Sequence, residues 1–210
     1  MSTNIRTAVT PYPRSEITGV VLAGGRGRRM GGVDKGLIPL NGKPMIAHAI
    51  GALRPQVEAL IINANRNLDS YTAFGHQVVP DMVGDYFGPL AGMASAMEVA
   101  VTQYVLTVPC DSPLVPWDLG QRLYDRLVSE DAEISVAHDG ERMHPVFTLL
   151  QRSLLPSLRG YLEAGERKID RWFEKHRLAI TYFNDVPETF LNVNSPEERV
   201  VVEARLAEVS

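Results

Sequence analysis

A short apolar run, Val20-Val21-Leu22-Ala23, stops at Gly24-Gly25 and gives way to Arg26-Gly27-Arg28-Arg29-Met30-Gly31-Gly32. The run reads as a buried strand ended by glycine. Gly27, Gly31 and Gly32 keep the following loop free of side chains that would hold a ligand away, and Lys35 closes it. Free backbone N–H groups with Arg26, Arg28, Arg29 and Lys35 around them suit a polyanion, most simply a nucleoside triphosphate. The competing reading is a solvated basic loop turned by glycines. Against a net charge of −4, these cations run counter to the balance of the chain.

The familiar phosphate loops do not fit. The P-loop needs a Gly-Lys pair followed by Ser or Thr, but Gly42-Lys43 precedes Pro44. The dinucleotide fingerprint fails at its third glycine, where Gly25-x-Gly27 runs on to Met30.

Further along, Met45–Leu53 has helical spacing, opened by Pro44 and broken by Pro55. Strands are expected at Ala59–Ala64, Gln77–Asp81 and Tyr104–Pro109, with a small-residue helix, Met93–Val101, after Gly88-Pro89-Leu90-Ala91-Gly92. The alternation signals an α/β chain with a mostly parallel sheet covered on both faces, in three layers. Ligands of such sheets sit beyond the carboxyl ends of the strands, so the glycine loop, Asn63, Asp81 and Asp111 should converge there. The second half predicts helices at Trp117–Val128 and near Leu154–Ala164, a hairpin turning at Asp139-Gly140, and a strand at Leu178–Phe183. Trp172 and Phe173 read as core. Ser195, Pro196 and Glu198 form a capping box that starts the last helix.

Asp111 is the candidate metal ligand. It follows an apolar strand directly, between Pro109 and Pro113, and Mg²⁺ takes one or two carboxylates when phosphates supply further oxygens. A turn or N-cap aspartate is the alternative. Cys110 reads as a small buried thiol. Asp81, Asn63, Asn192 and Asn194 are, from residue type alone, equally turn formers. The histidines show no zinc spacing.

The string LAGGRGRRMGGVDKG, Leu22–Gly36, resembles the molybdenum cofactor guanylyltransferase (MobA) family within the Rossmann-like nucleotidyltransferases. P-C-D-S-P at Asp111 and N-V-N-S-P-E-E at Asn192–Glu198 match the same family, and the likeness runs from about Ile17 to Ala207. It implies a nucleotide-diphospho-sugar transferase-like fold. It also implies transfer of GMP from GTP to the phosphate of molybdopterin, with release of pyrophosphate and Mg²⁺ on Asp111. Carried onto this sequence, Leu22, Ala23, Gly24, Gly25, Lys35, Asn63, Asp81 and Asp111 would meet the nucleotide. Gly88–Gly92 would help select guanine, and Arg29, Lys35 and Asp111 would serve the transfer. His144, Asn192 and Asn194 would hold the pterin acceptor.

The length of 210 residues suits a single domain over 17–210, with a GTP-binding part to about residue 115 and an acceptor-binding part after it. Residues 1–16 are expected to be a flexible extension without a secretory signal. The acidic balance argues against a nucleic-acid or membrane-surface partner, and one cysteine suits a reducing cytoplasm. A monomer is expected, with transient contact to other molybdenum cofactor biosynthesis proteins. The alternatives are a relative using CTP or a sugar-1-phosphate, or a nucleotide-binding regulator without catalysis.

Overall fold

The computed structural model describes residues 11–24, 34–82 and 88–209. In chain order it has strands β1 (Ile17–Leu22), β2 (Pro39–Leu40) and β3 (Lys43–Pro44), then helix α1 (Met45–Leu53). Next come β4 (Ala59–Asn63), α2 (Leu68–Thr72), β5 (Gln77–Val79), α3 (Pro89–Val99) and β6 (Tyr104–Pro109). The second half holds α4 (Leu119–Ser129), β7 (Ile134–His138), β8 (Met143–Gln151), α5 (Leu155–Glu163), α6 (Ile169–Phe173), β9 (Leu178–Tyr182) and α7 (Pro196–Val209).

The main sheet runs β5-β4-β1-β6-β8-β7-β9. Strand β1 lies between β4 and β6, parallel to both, and β4 pairs parallel with β5. Only β8 reverses direction, against β6 and β7, while β9 returns parallel to β7. The mostly parallel three-layer arrangement expected from the sequence is therefore present.

Every residue of β1 is buried because both its faces are covered. Ile17 and Val21 join one core with Ile46, Ala49 and Leu53 of α1 and Leu119, Leu123 and Leu127 of α4. Val20 and Leu22 join the other with Leu90, Met93 and Met97 of α3, Leu158 and Leu162 of α5, and Trp172 and Phe173. The alternation follows from the strand period of two. A third, smaller cluster sets Val202 of α7 on Leu40, Met45 and Val193, which ties the last helix to the β2–β3 ribbon. Among the described residues, no helix is long and apolar enough to cross a membrane.

Some boundaries differ from expectation. Helix α3 begins at Pro89, ahead of the expected Met93, so Gly88–Gly92 supplies its N-cap and first turn. Strand β5 stops at Val79, leaving Asp81 beyond the strand end. The lead-in is anchored in its later part. The Tyr12 hydroxyl donates to the Gln56 carbonyl at 2.7 Å, and its ring stands edge-on to Tyr124 at 6.1 Å. Residues 1–10 lie outside the described residues.

The small residues of α3 let it approach the sheet closely. A Cβ at Gly92 would lie 2.2 Å from Asn63 Oδ1 and 2.8 Å from its Cγ. Asn63 is 3% exposed and hydrogen-bonded on its other side, so it has little room to retreat. Gly92→Ala should therefore lower stability by about 1–3 kcal/mol through overpacking, despite a helix-propensity gain of about 1 kcal/mol. Urea unfolding measures this; a variant more stable than the parent would contradict the packing argument.

Candidate active site

Strand register builds the site. Pro109, Leu22, Asn63 and Val79 are successive partners across β6, β1, β4 and β5. The same step beyond each strand end reaches Asp111, Gly24, Asn65 and Asp81. The ladder bonds persist just past the strands, with Ala23 N donating to Asn63 O at 2.8 Å and Cys110 N to Leu22 O at 3.0 Å. Gly24 then leaves the sheet in a space bounded by the Asn63 and Asn65 side chains, which a Cβ would meet at 3.2 and 3.0 Å.

Asp81 is held on both oxygens. Oδ1 accepts from Asn63 Nδ2 at 2.9 Å and Oδ2 from Asn65 Nδ2 at 2.8 Å, while Asp81 N donates to Asn65 Oδ1 at 2.7 Å. The second Asn63 N–H goes to the Val79 carbonyl at 3.0 Å. Asn63 thus bears on the site by fixing Asp81, from a buried position. Asn65, which no motif singled out, matters as much.

On the other side, Lys35 Nζ stands 3.3 Å from Asp111 Oδ2 and donates to Asn194 Oδ1 at 2.5 Å. The Asp111 carbonyl accepts from Val193 N at 2.8 Å. Ser112 Oγ donates to Asn192 Oδ1 at 2.5 Å. The Asn192–Asn194 segment is thereby fastened to the end of β6. Below it, the expected capping box is formed: Glu198 accepts from the Asn194 and Ser195 N–H groups at 2.6 and 2.9 Å, and Glu198 N donates to Ser195 Oγ at 3.2 Å. Lys35, from the part before residue 115, thus meets both Asp111 and, from the part after it, Asn194.

Lys35 has its own anchor, in Asp34. This carboxylate is 8% exposed. It accepts from Tyr71 Oη at 2.5 Å and Asn67 Nδ2 at 2.9 Å, with Arg66 Nε 3.4 Å away. Asp34 is only a letter of the motif when read from the chain, because its partners come from just past β4 and from α2.

His144, an acceptor residue by the resemblance, lies mostly buried against its own neighbours. Its ring is 9% exposed, stacked on Phe190 at 4.4 Å and 16°, with Nε2–H donating to Asp139 Oδ2 at 2.6 Å. Asp139 Oδ1 also accepts from the Glu141 and Arg142 N–H groups, both at 2.8 Å. Burial pushes the Asp139 carboxyl up, but those donors and His144 outweigh it and hold it well below the usual carboxylate range. Burial lowers the His144 pKa, against the opposing pull of Asp139, so the imidazole is neutral near pH 7. The pair closes the β7–β8 turn and supports Phe190, two residues before Asn192.

Cys110 is buried as expected. Burial first, and the nearby Asp111 and Asp34 carboxylates after it, push its thiol well above the ordinary range, so it is no nucleophile at neutral pH. Gly25 and Arg29, with the rest of 25–33, lie outside the described residues. The described residues bring together a lysine and a carboxylate at the strand ends, a second fixed carboxylate beyond β5, and polar amides beside them, a set whose chemistry suits phosphate.

Residues 19–180 match the family described as the MobA-like NTP transferase domain. Among curated relatives, the molybdenum cofactor guanylyltransferase of Shewanella halifaxensis (strain HAW-EB4) is 50% identical, covering 88% of this chain and 92% of its own. That of Shewanella sp. (strain MR-4) is 53% identical, covering 88% and 93%. Among solved structures, molybdopterin-guanine dinucleotide biosynthesis protein A from Archaeoglobus fulgidus superposes with a TM-score of 0.74 at 19% identity, over 91% of this chain and 99% of that one. That likeness is one of fold, the nucleotide-diphospho-sugar transferase type. With about half of its residues shared over most of its length, the chain belongs to the molybdenum cofactor guanylyltransferase family.

Proposed function

We propose that this chain transfers GMP from GTP to the phosphate of Mo-molybdopterin, releasing pyrophosphate and forming the guanine dinucleotide form of the cofactor. The observation that carries the reading is Lys35, set between Asp111 and Asn194 at the strand ends, with Asp81 fixed across the glycine turn. The family supports the same transfer.

An acceptor phosphate monoester has its second pKa at about 6 and is ionised near neutral pH, so it attacks without a side-chain base. One of its oxygens forms a bond to the α-phosphorus of GTP as the α–β bridging bond breaks. Pyrophosphate leaves with that electron pair. Lys35 offsets the charge, and Arg29 is assigned beside it from the motif alone. Asn192 and Asn194, held by Ser112 and Lys35, face the acceptor. Catalysis is then positioning and charge stabilisation.

Among the described residues, no group of three or more His, Cys, Asp or Glu side chains gathers. Asp111, just past the end of β6, would hold Mg²⁺ as a single carboxylate ligand, with substrate phosphates supplying the other oxygens and the ion offsetting their charge when bound.

Asp81 supports the choice of base. Each of its oxygens takes one asparagine N–H, and each keeps a lone pair for another donor. Guanine offers two adjacent donors, N1–H and the 2-amino group, whereas the same edge of cytosine offers a donor beside an acceptor. Pyrophosphate release with Mo-molybdopterin should therefore favour GTP over CTP by at least about 10²-fold, since a site built to pair a donor rejects the analogue that lacks it. Equal turnover would favour the CTP reading, and no release with any nucleotide the regulator reading.

Removing the charges tests the rest. Lys35→Ala should lower the rate by on the order of 10²–10³, the scale for losing one preorganised stabilising group. Asp111→Ala should fold and lose Mg²⁺-dependent turnover. Near wild-type rates at saturating Mg²⁺ would remove Asp111 from the metal site.

A further inference from the structure

The segment that ends β4 and follows it, Asn63–Asn67, reaches two places in the site. Asn63 and Asn65 fix Asp81. Arg66 and Asn67, with Tyr71 of α2, fix Asp34. Asn67 sits in the left-handed region, φ 51°, as the N-cap of α2. Tyr71 is fully buried. Burial, then the hydrogen bond to Asp34, raise its phenol far above the ordinary range, so the hydroxyl stays protonated and donates. The backbone is fitted to the same hydroxyl: a Cβ on Gly36 would come within 2.6 Å of Tyr71 Oη. Asp34 and Gly36 flank Lys35, so both of its chain neighbours are seated on one tyrosine.

We propose that Asp34 is a positioning residue for the transfer, holding Lys35 at the phosphates through its bonds to Tyr71 and Asn67. One rigid stretch, Asn63–Asn67, then sets the spacing between the base-side carboxylate and the phosphate-side ammonium. The inference rests on the reading of Lys35 as the group that meets the phosphates. A buried carboxylate given several donors is costly to leave half-satisfied. A purely structural role would act on folding alone, whereas positioning acts on turnover through Lys35.

The test uses Tyr71→Phe, which keeps the packed ring and removes only the hydroxyl, and Asp34→Asn, which keeps the size and reverses one acceptor. Both are assayed for pyrophosphate release from GTP with Mo-molybdopterin, and for melting temperature. Tyr71→Phe should lower kcat by about tenfold or more, the scale of a small misplacement of a reacting group, with KM for the acceptor nearly unchanged. Introduced into Lys35→Ala, it should lower kcat no further. An equal fold-loss in both backgrounds, or a folded Tyr71→Phe with unaltered kcat, overturns the positioning role while leaving the transfer reading intact. If Asp34→Asn does not fold, Tyr71→Phe carries the comparison alone. A wild-type chain that releases no pyrophosphate overturns the transfer reading and this inference with it.

Discussion

The Lys35 ammonium joins parts of the chain that lie far apart in sequence. It reaches Asp111, 76 residues on, and Asn194, 159 residues on. Neither contact is deeply buried, the two ion-pair side chains being 22% and 20% exposed, so their contribution to folding is modest. Their importance is geometric. They bring a motif lysine, a strand-end carboxylate and a segment from before the last helix to one point.

Convergence depends on the parallel register. Because β5, β4, β1 and β6 run the same way, residues past Val79, Asn63, Leu22 and Pro109 emerge on one edge. Antiparallel β8 adds to that edge from its other end, which is where His144 stands beneath Phe190. The final helix closes the arrangement by packing Val202 on Leu40 and Met45 while its capping box holds Asn194 and Ser195. Fold and site are thus one construction, with the strand ends and the segments just past them supplying both carboxylates and amides.

Much of this could be read from the chain. Apolar runs ended by Gly, Pro or Asn marked the strands, since a strand covered on both faces must be apolar throughout. The helix at Met45–Leu53 and the strand at Tyr104–Pro109 have the bounds their residues suggested. The capping box is a local signal and was legible for that reason. What stayed hidden depends on contacts distant in sequence. Gly88–Gly92 read as loop because glycine is a poor helix former. Gly88, at φ 79°, caps α3, and Gly92 lies within it because only a residue without a side chain clears Asn63. Asn63 and His144 stand as ligand groups on the resemblance, and within the chain Asn63 also holds Asp81 while His144 meets Asp139 and Phe190. No periodicity or residue type announces such pairings. The same holds for Asp34 and Tyr71, and for Tyr12 in a lead-in that its prolines suggested would be loose.

If Lys35 is the junction of the nucleotide and acceptor sides, it and Asn194 must act as a unit. The direct measurement is a double-mutant cycle of Lys35→Ala and Asn194→Ala on kcat/KM for pyrophosphate release from GTP with Mo-molybdopterin. Residues in contact within one network couple by about 0.5–3 kcal/mol. The expected result is a coupling in that range, with the double variant losing clearly less than the two single losses together. Losses that simply add would mean that the lysine and the asparagine serve separate sites, and would contradict the account.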